Sequence, residues 1–91
     1  MHSYKTQVAS DIIRDGLGVE LLDEGGNVVA EVFRCDRDHT INVTTFTNDI
    51  PFQAMEQLLL RARERLDPFE DGASLEDALV PAPRVTMERS Q

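Results

Sequence analysis

The residues best suited to chemistry in this sequence are Cys35 and His39, with Asp36 and Asp38 between them. A cysteine and a histidine four positions apart can share a metal ion, and a thiol beside an imidazole can act as a nucleophile. A structural zinc site needs four ligands, however, and beyond this pair the sequence offers only His2. Asp-Arg-Asp-His is also an ordinary polar turn. We therefore predict no catalytic residues, no metal site and no cofactor, and a protein that is not an enzyme.

Composition and charge exclude several classes of function. The chain has 91 residues, enough for one domain with a small core, so association with another chain would add stability. Its net charge of −8 repels phosphate, which argues against direct binding to nucleic acid. No apolar run approaches the length that spans a bilayer, and residues 1–11 do not have the pattern of a signal peptide. With one cysteine, Cys35, no internal disulfide can form, and we predict a cytoplasmic protein that binds no membrane.

One long helix is predicted over residues 47–66, where apolar side chains recur every three or four positions. Asn48 or Asp49 is suited to cap its N-terminus, because a short polar side chain can accept a hydrogen bond from a free N–H of the first turn. The Asp67–Pro68 step then ends the helix. The predicted apolar stripe consists of Phe52, Met55, Leu58, Leu59, Ala62 and Leu66.

Three strands joined by short turns precede the helix, over residues 17–23, 28–35 and 40–47. A Gly-Gly pair supplies the positive φ that the first turn needs, and four polar residues form the second. The implied register places Val19 opposite Val32 and Val32 opposite Val43, on the face that the helix covers. It also places Glu20 opposite Glu31, where like charges repel.

These elements predict an α+β fold. We expect a three-stranded antiparallel β-meander, or a four-stranded one if residues 4–13 add a strand, packed on one C-terminal α-helix. Residues 1–68 would form the single β-β-β-α domain. Residues 69–91 would form an acidic, mostly flexible tail, because they contain too few apolar side chains to order themselves.

The sheet face away from the helix is predicted to carry an interface. The register places Leu22, Val29 and Phe46 in a cross-strand row, with Phe33 nearby. Burying such side chains is worth about 1.5 to 3 kcal/mol each, which favours covering them over leaving them in water. A second copy of the sheet, the chain's own terminal segments or a foreign partner could supply the cover. A register error of one residue would exchange the two faces. Leu60, which projects away from the apolar stripe of the helix, is a further candidate contact.

Two functional hypotheses follow, both with a protein as the partner. The first is a small non-enzymatic protein–protein interaction module, homodimeric through the far face of the sheet, of unknown biological process. The alternative is an acidic inhibitor or antitoxin-like protein that blocks a basic site on a nuclease or nucleic-acid-binding complex. An enzymatic function would depend on Cys35 and His39 alone.

Overall fold

In the computed structural model, which describes residues 3–80, four antiparallel strands form one open sheet and one α-helix packs on one of its faces. The strands are β1 (Lys5–Asp11), β2 (Gly16–Leu22), β3 (Val28–Cys35) and β4 (Thr40–Thr45), and the helix α1 is Phe52–Leu66. Each strand pairs with its neighbour in sequence, so β1 and β4 are the two edges. The predicted α+β meander is confirmed, and the additional N-terminal strand is present as β1.

The observed register agrees with the predicted one except at a bulge. Val19 pairs with Val32, and Val32 pairs with Val43, as the turns implied. Between Leu21 and Leu22 the register shifts, so that Leu22 lies opposite Val28 rather than Val29. A bulge of this kind adds a residue to one strand and changes which side chains share a face. Leu22 therefore does not lie in the row with Val29 that the sequence predicted.

The helix packs on the sheet through residues spaced four apart, which are Ala54, Leu58, Ala62 and Leu66. The predicted stripe is wrong at Phe52 and Leu59, which are exposed. The prediction assigned the large apolar side chains to the buried face. In the structure, two alanines, Ala54 and Ala62, face the sheet and bring the helix backbone close to it. The centre of the buried stripe is consequently rotated by about 50° around the helix axis, roughly half the step between successive residues.

The start of the helix also differs from the prediction, and its end does not. Pro51 occupies the N-cap position, and no side chain caps the first turn. Asn48 and Asp49 therefore do not cap it; they belong to the connection from β4, where Asp49 has a φ of 59°. The helix ends at Leu66 with Asp67 at the C-cap, as the Asp-Pro step predicted.

The packed structure continues past residue 68, the predicted end of the domain. Phe69 is 1% exposed and belongs to the core together with Leu75. Arg34 fixes the connection by donating a hydrogen bond to the backbone carbonyl of Pro68 at 2.8 Å. A single phenylalanine among acidic residues produces no periodic pattern, so this packing could not be predicted from the pattern of apolar residues. Residues 81–91, the remainder of the predicted tail, lie outside the described residues.

Candidate interaction surface

Cys35 and His39, the two residues best suited to chemistry, have different partners in the structure. The Sγ atom of Cys35 lies 3.5 Å from the backbone carbonyl oxygen of Arg14 and 3.6 Å from a carboxylate oxygen of Asp38. His39 stacks on Phe69 with ring centroids 4.5 Å apart, and its Nε2 lies 2.7 Å from a carboxylate oxygen of Asp71. Hydrogen bonds from a backbone N–H and then from His39 lower the pKa of Asp71. Within residues 3–80 no group of three or more His, Cys, Asp or Glu side chains is arranged to hold a metal ion.

The far face of the sheet is a polar network rather than an apolar patch. Glu20 and Glu31 are paired across β2 and β3, as predicted, and Glu31 is only 7% exposed. Arg14 donates from Nη1 and Nη2 to the two carboxylate oxygens of Glu31, at 3.1 and 2.8 Å. Gln7 donates from Nε2 to Glu20 at 2.6 Å. The repulsion that the sequence predicted is therefore offset by a cation on one glutamate and an amide on the other.

Arg14 also covers the aromatic ring on this face. Its guanidinium carbon lies 3.9 Å from the ring centroid of Phe33, which is buried. Hydrogen bonds to Glu31 and then to Asp11 raise the pKa of Arg14, so the cation is retained at any ordinary pH. The side-chain hydrogen bond from Arg14 in turn lowers the pKa of Asp11. The turn before β2 thus covers part of the far face.

The five predicted interface residues fall into two groups. Phe46 and Leu60 are exposed, whereas the other three are buried within the chain, namely Leu22, Val29 and Phe33. Val29 belongs to the core cluster that includes the helix. A contact through any of these side chains stays a prediction, but the buried ones have little surface left to offer a partner.

One helix is too narrow to cover this sheet. An α-helix is about 10 Å across, whereas four strands spaced about 4.8 Å apart span more than that. Here α1 packs mainly on β2, which leaves the helix-facing side of β4 open. The result is a groove of about 340 Å³ between β4 and α1, which we call the β4 groove. Its lining consists of Val32, Ile41, Val43, Leu59, Ala62, Arg63, Leu75 and Glu76.

A second groove lies on the other side of the helix, beside β1. It is larger, at about 610 Å³, and we call it the β1 groove. Its lining mixes apolar and polar side chains, which are Tyr4, Pro51, Gln53, Ala54, Glu56, Gln57 and Leu60. The β4 groove is smaller, but two strand residues and a helix residue with large aliphatic side chains, Ile41, Val43 and Leu59, meet in it.

The two edge strands of the sheet, β1 and β4, also differ in how well they are protected against pairing with another strand. Natural edge strands are usually protected against strand addition by charged residues or proline. The β1 strand carries Lys5 and Asp11, whereas β4, with the sequence TINVTT, carries neither a charge nor a proline. In residues 3–80, the only strand-like partner on the outer side of β4 is Leu79, which forms a parallel bridge with Thr40.

Comparisons of the chain with protein families, with curated proteins and with solved structures found no match. No helix in the described part of the chain is long and apolar enough to cross a membrane. A functional proposal therefore rests on the groove and the open edge of β4.

Sequence reasoning missed this surface because it assigned Val43 and Leu59 to the core. Both lie on the expected face of their elements, yet Val43 is 52% and Leu59 is 45% exposed. The number of predicted helices and strands could have revealed the open surface. A single predicted helix cannot cover the side chains of four strands, and the strand farthest from it must remain open.

Proposed function

We propose that this protein is a small, non-enzymatic protein–protein interaction module of the cytoplasm that works as a homodimer, and that its two copies meet at the β4 groove. The observation that carries the proposal is the exposure of Val43 and Leu59 in one shared groove. Large apolar side chains that share an exposed surface are typical of interaction sites. The homodimer is the one that the sequence suggested, but the interface moves from the far face of the sheet to β4.

The energetic case follows from the size of the domain. Burying a large aliphatic side chain is worth about 1.5 to 3 kcal/mol, and both copies contribute Val43 and Leu59 to the same interface. A chain of 91 residues buries a smaller share of its surface than a larger domain does, so the additional burial raises its stability noticeably. The groove also carries one charge of each sign, Arg63 and Glu76, which suits a surface that must match itself.

Leu59→Glu and Leu60→Glu form a matched pair of variants for testing this proposal. The two leucines are adjacent and exposed, and each substitution adds one negative charge, but only Leu59 lines the β4 groove. Light scattering over a range of concentrations should give a dimer for the wild type and for Leu60→Glu, and a monomer for Leu59→Glu. A wild type that is monomeric at every concentration, or a dimer that only Leu60→Glu dissociates, would contradict the proposal.

A further inference from the structure

The outer side of β4 presents a row of backbone hydrogen-bonding groups. Phe46 donates its N–H to the carbonyl of Val29 at 2.9 Å, in continuation of the β3–β4 ladder. Because alternate residues of an antiparallel strand bond to the same neighbour, the even-numbered residues of β4 bond to β3. The N–H and C=O groups of Ile41, Val43 and Thr45 therefore point away from β3.

Within residues 3–80, the chain's own C-terminal part reaches this edge at one point, beside Thr40. Leu79 donates its N–H to the carbonyl of His39 at 2.6 Å and forms a parallel bridge with Thr40. In a parallel ladder every second residue donates to the same neighbour, so the next donors along this path would be residues 81 and 83. Both are prolines, Pro81 and Pro83, and have no N–H. Neither proline can therefore donate an N–H to such a ladder.

We infer that the open edge is completed by β4 of a second copy, paired antiparallel about a twofold axis at Thr44. This inference rests on the proposed homodimer and specifies how its two copies bind. Val43 then lies opposite Thr45 of the partner subunit, and Thr45 lies opposite Val43 of the partner subunit. This register pairs the two outward-pointing residues of β4 that Leu79 does not reach, and it leaves Thr40, beside which Leu79 already lies, outside the pairing.

Two features of the chain favour a second copy of β4 as the strand that is added. An antiparallel pair with twofold symmetry is self-complementary, since each outward-pointing residue supplies one donor and one acceptor. The β4 strand has no charged side chain, so two copies that each carry a net charge of −8 bring no like charges opposite each other along this edge.

The same pairing covers the β4 groove. It joins the two sheets into one of eight strands, four from each copy, with both helices on the same face. The side chains of Val43 and Leu59 from the two copies then lie on either side of the twofold axis. Strand pairing and burial of the groove are therefore achieved by one contact.

Thr45→Pro tests the strand pairing separately from the groove, because Thr45 does not line the groove. It removes an outward-pointing N–H and leaves the bonds to β3 in place, and proline is tolerated where the N–H of an edge strand faces solvent. Thr45→Val, which keeps the N–H and the β-branched shape, is the control. We expect Thr45→Pro to be a folded monomer, by circular dichroism and light scattering, and Thr45→Val to dimerise. Should Thr45→Pro fail to fold, Val43→Pro, with Val43→Thr as its control, removes the other outward-pointing N–H and is measured in its place.

The outcomes separate the two proposals. If the proline variant stays dimeric while Leu59→Glu is monomeric, the copies meet at the groove but not through strand pairing, and this inference is wrong. If the wild type is a monomer at every concentration, the proposed homodimer and the strand pairing are both wrong.

Discussion

Leu59 and Leu60 are neighbours in the chain but line different grooves on the two sides of helix α1. A step of one residue turns a side chain by about 100° around a helix, which is enough to separate them. Leu60 is the more exposed, at 65% against 45%. Leu59 is nevertheless the better candidate for a contact, because Val43 and an open strand edge lie beside it.

Arg14→Ala should lower the free energy of unfolding by about 1 to 3 kcal/mol, because it leaves the buried carboxylate of Glu31 without its cation. The same substitution uncovers the ring of Phe33. Urea denaturation measures the change. The control is a second substitution, Glu31→Gln, which removes the charge that needs a partner. Arg14→Ala should be less destabilising in that background, and an equal loss in both backgrounds would mean that the ion pair is not what stabilises the turn.

Phe69→Ala should destabilise the whole domain by about 3 to 5 kcal/mol, the usual cost of removing a fully buried aromatic side chain. The matched control is Val80→Ala, which changes an exposed side chain in the same segment and should stay within about 0.5 kcal/mol. Thermal and urea unfolding of both variants would measure this. If Phe69→Ala proves as mild as Val80→Ala, residues 69–80 do not belong to the cooperative fold.

Salt should strengthen the homodimer. Each copy carries a net charge of −8, so the copies repel, and the Debye length falls from about 30 Å at 0.01 M salt to about 8 Å at 0.15 M. The dimer dissociation constant, measured by sedimentation at both salt concentrations, should therefore decrease. An acidic inhibitor bound to a basic site predicts the opposite sign, since salt weakens that attraction. A self-association that weakens with salt would argue against an uncharged β4 interface.

The sequence was most informative where local chemistry decides the structure. Short turns with glycine or polar residues determined the pairing of Val19 with Val32 and of Val32 with Val43, and the Asp-Pro step determined the end of the helix. The bulge at Leu22 was not predictable, because it depends on how both hairpin strands twist over the core. The relief of the Glu20–Glu31 repulsion was not predictable either, since Arg14 reaches Glu31 only after the turn before β2 has folded over the sheet.

The site was harder to predict than the fold because it depends on what is left uncovered. The pattern of β4 correctly placed Ile41 and Val43 on the helix-facing side. Whether that side is buried depends on the width of the helix layer and on its lateral position over β2, and neither is encoded in the periodicity of a single segment. The side chain of Phe46 stays exposed, at 57%, and its role in assembly stays a prediction.

Residue-resolved amide hydrogen exchange of β4, measured in dilute and in concentrated solution, tests the central claim most directly. The amides of Asn42 and Thr44 bond to β3 within one copy and should be protected in both solutions. The amides of Val43 and Thr45 point outward, and we predict that their exchange slows markedly as the concentration rises and the second β4 strand pairs with them. Exchange at Val43 and Thr45 that is fast and independent of concentration would contradict the proposed strand-paired homodimer.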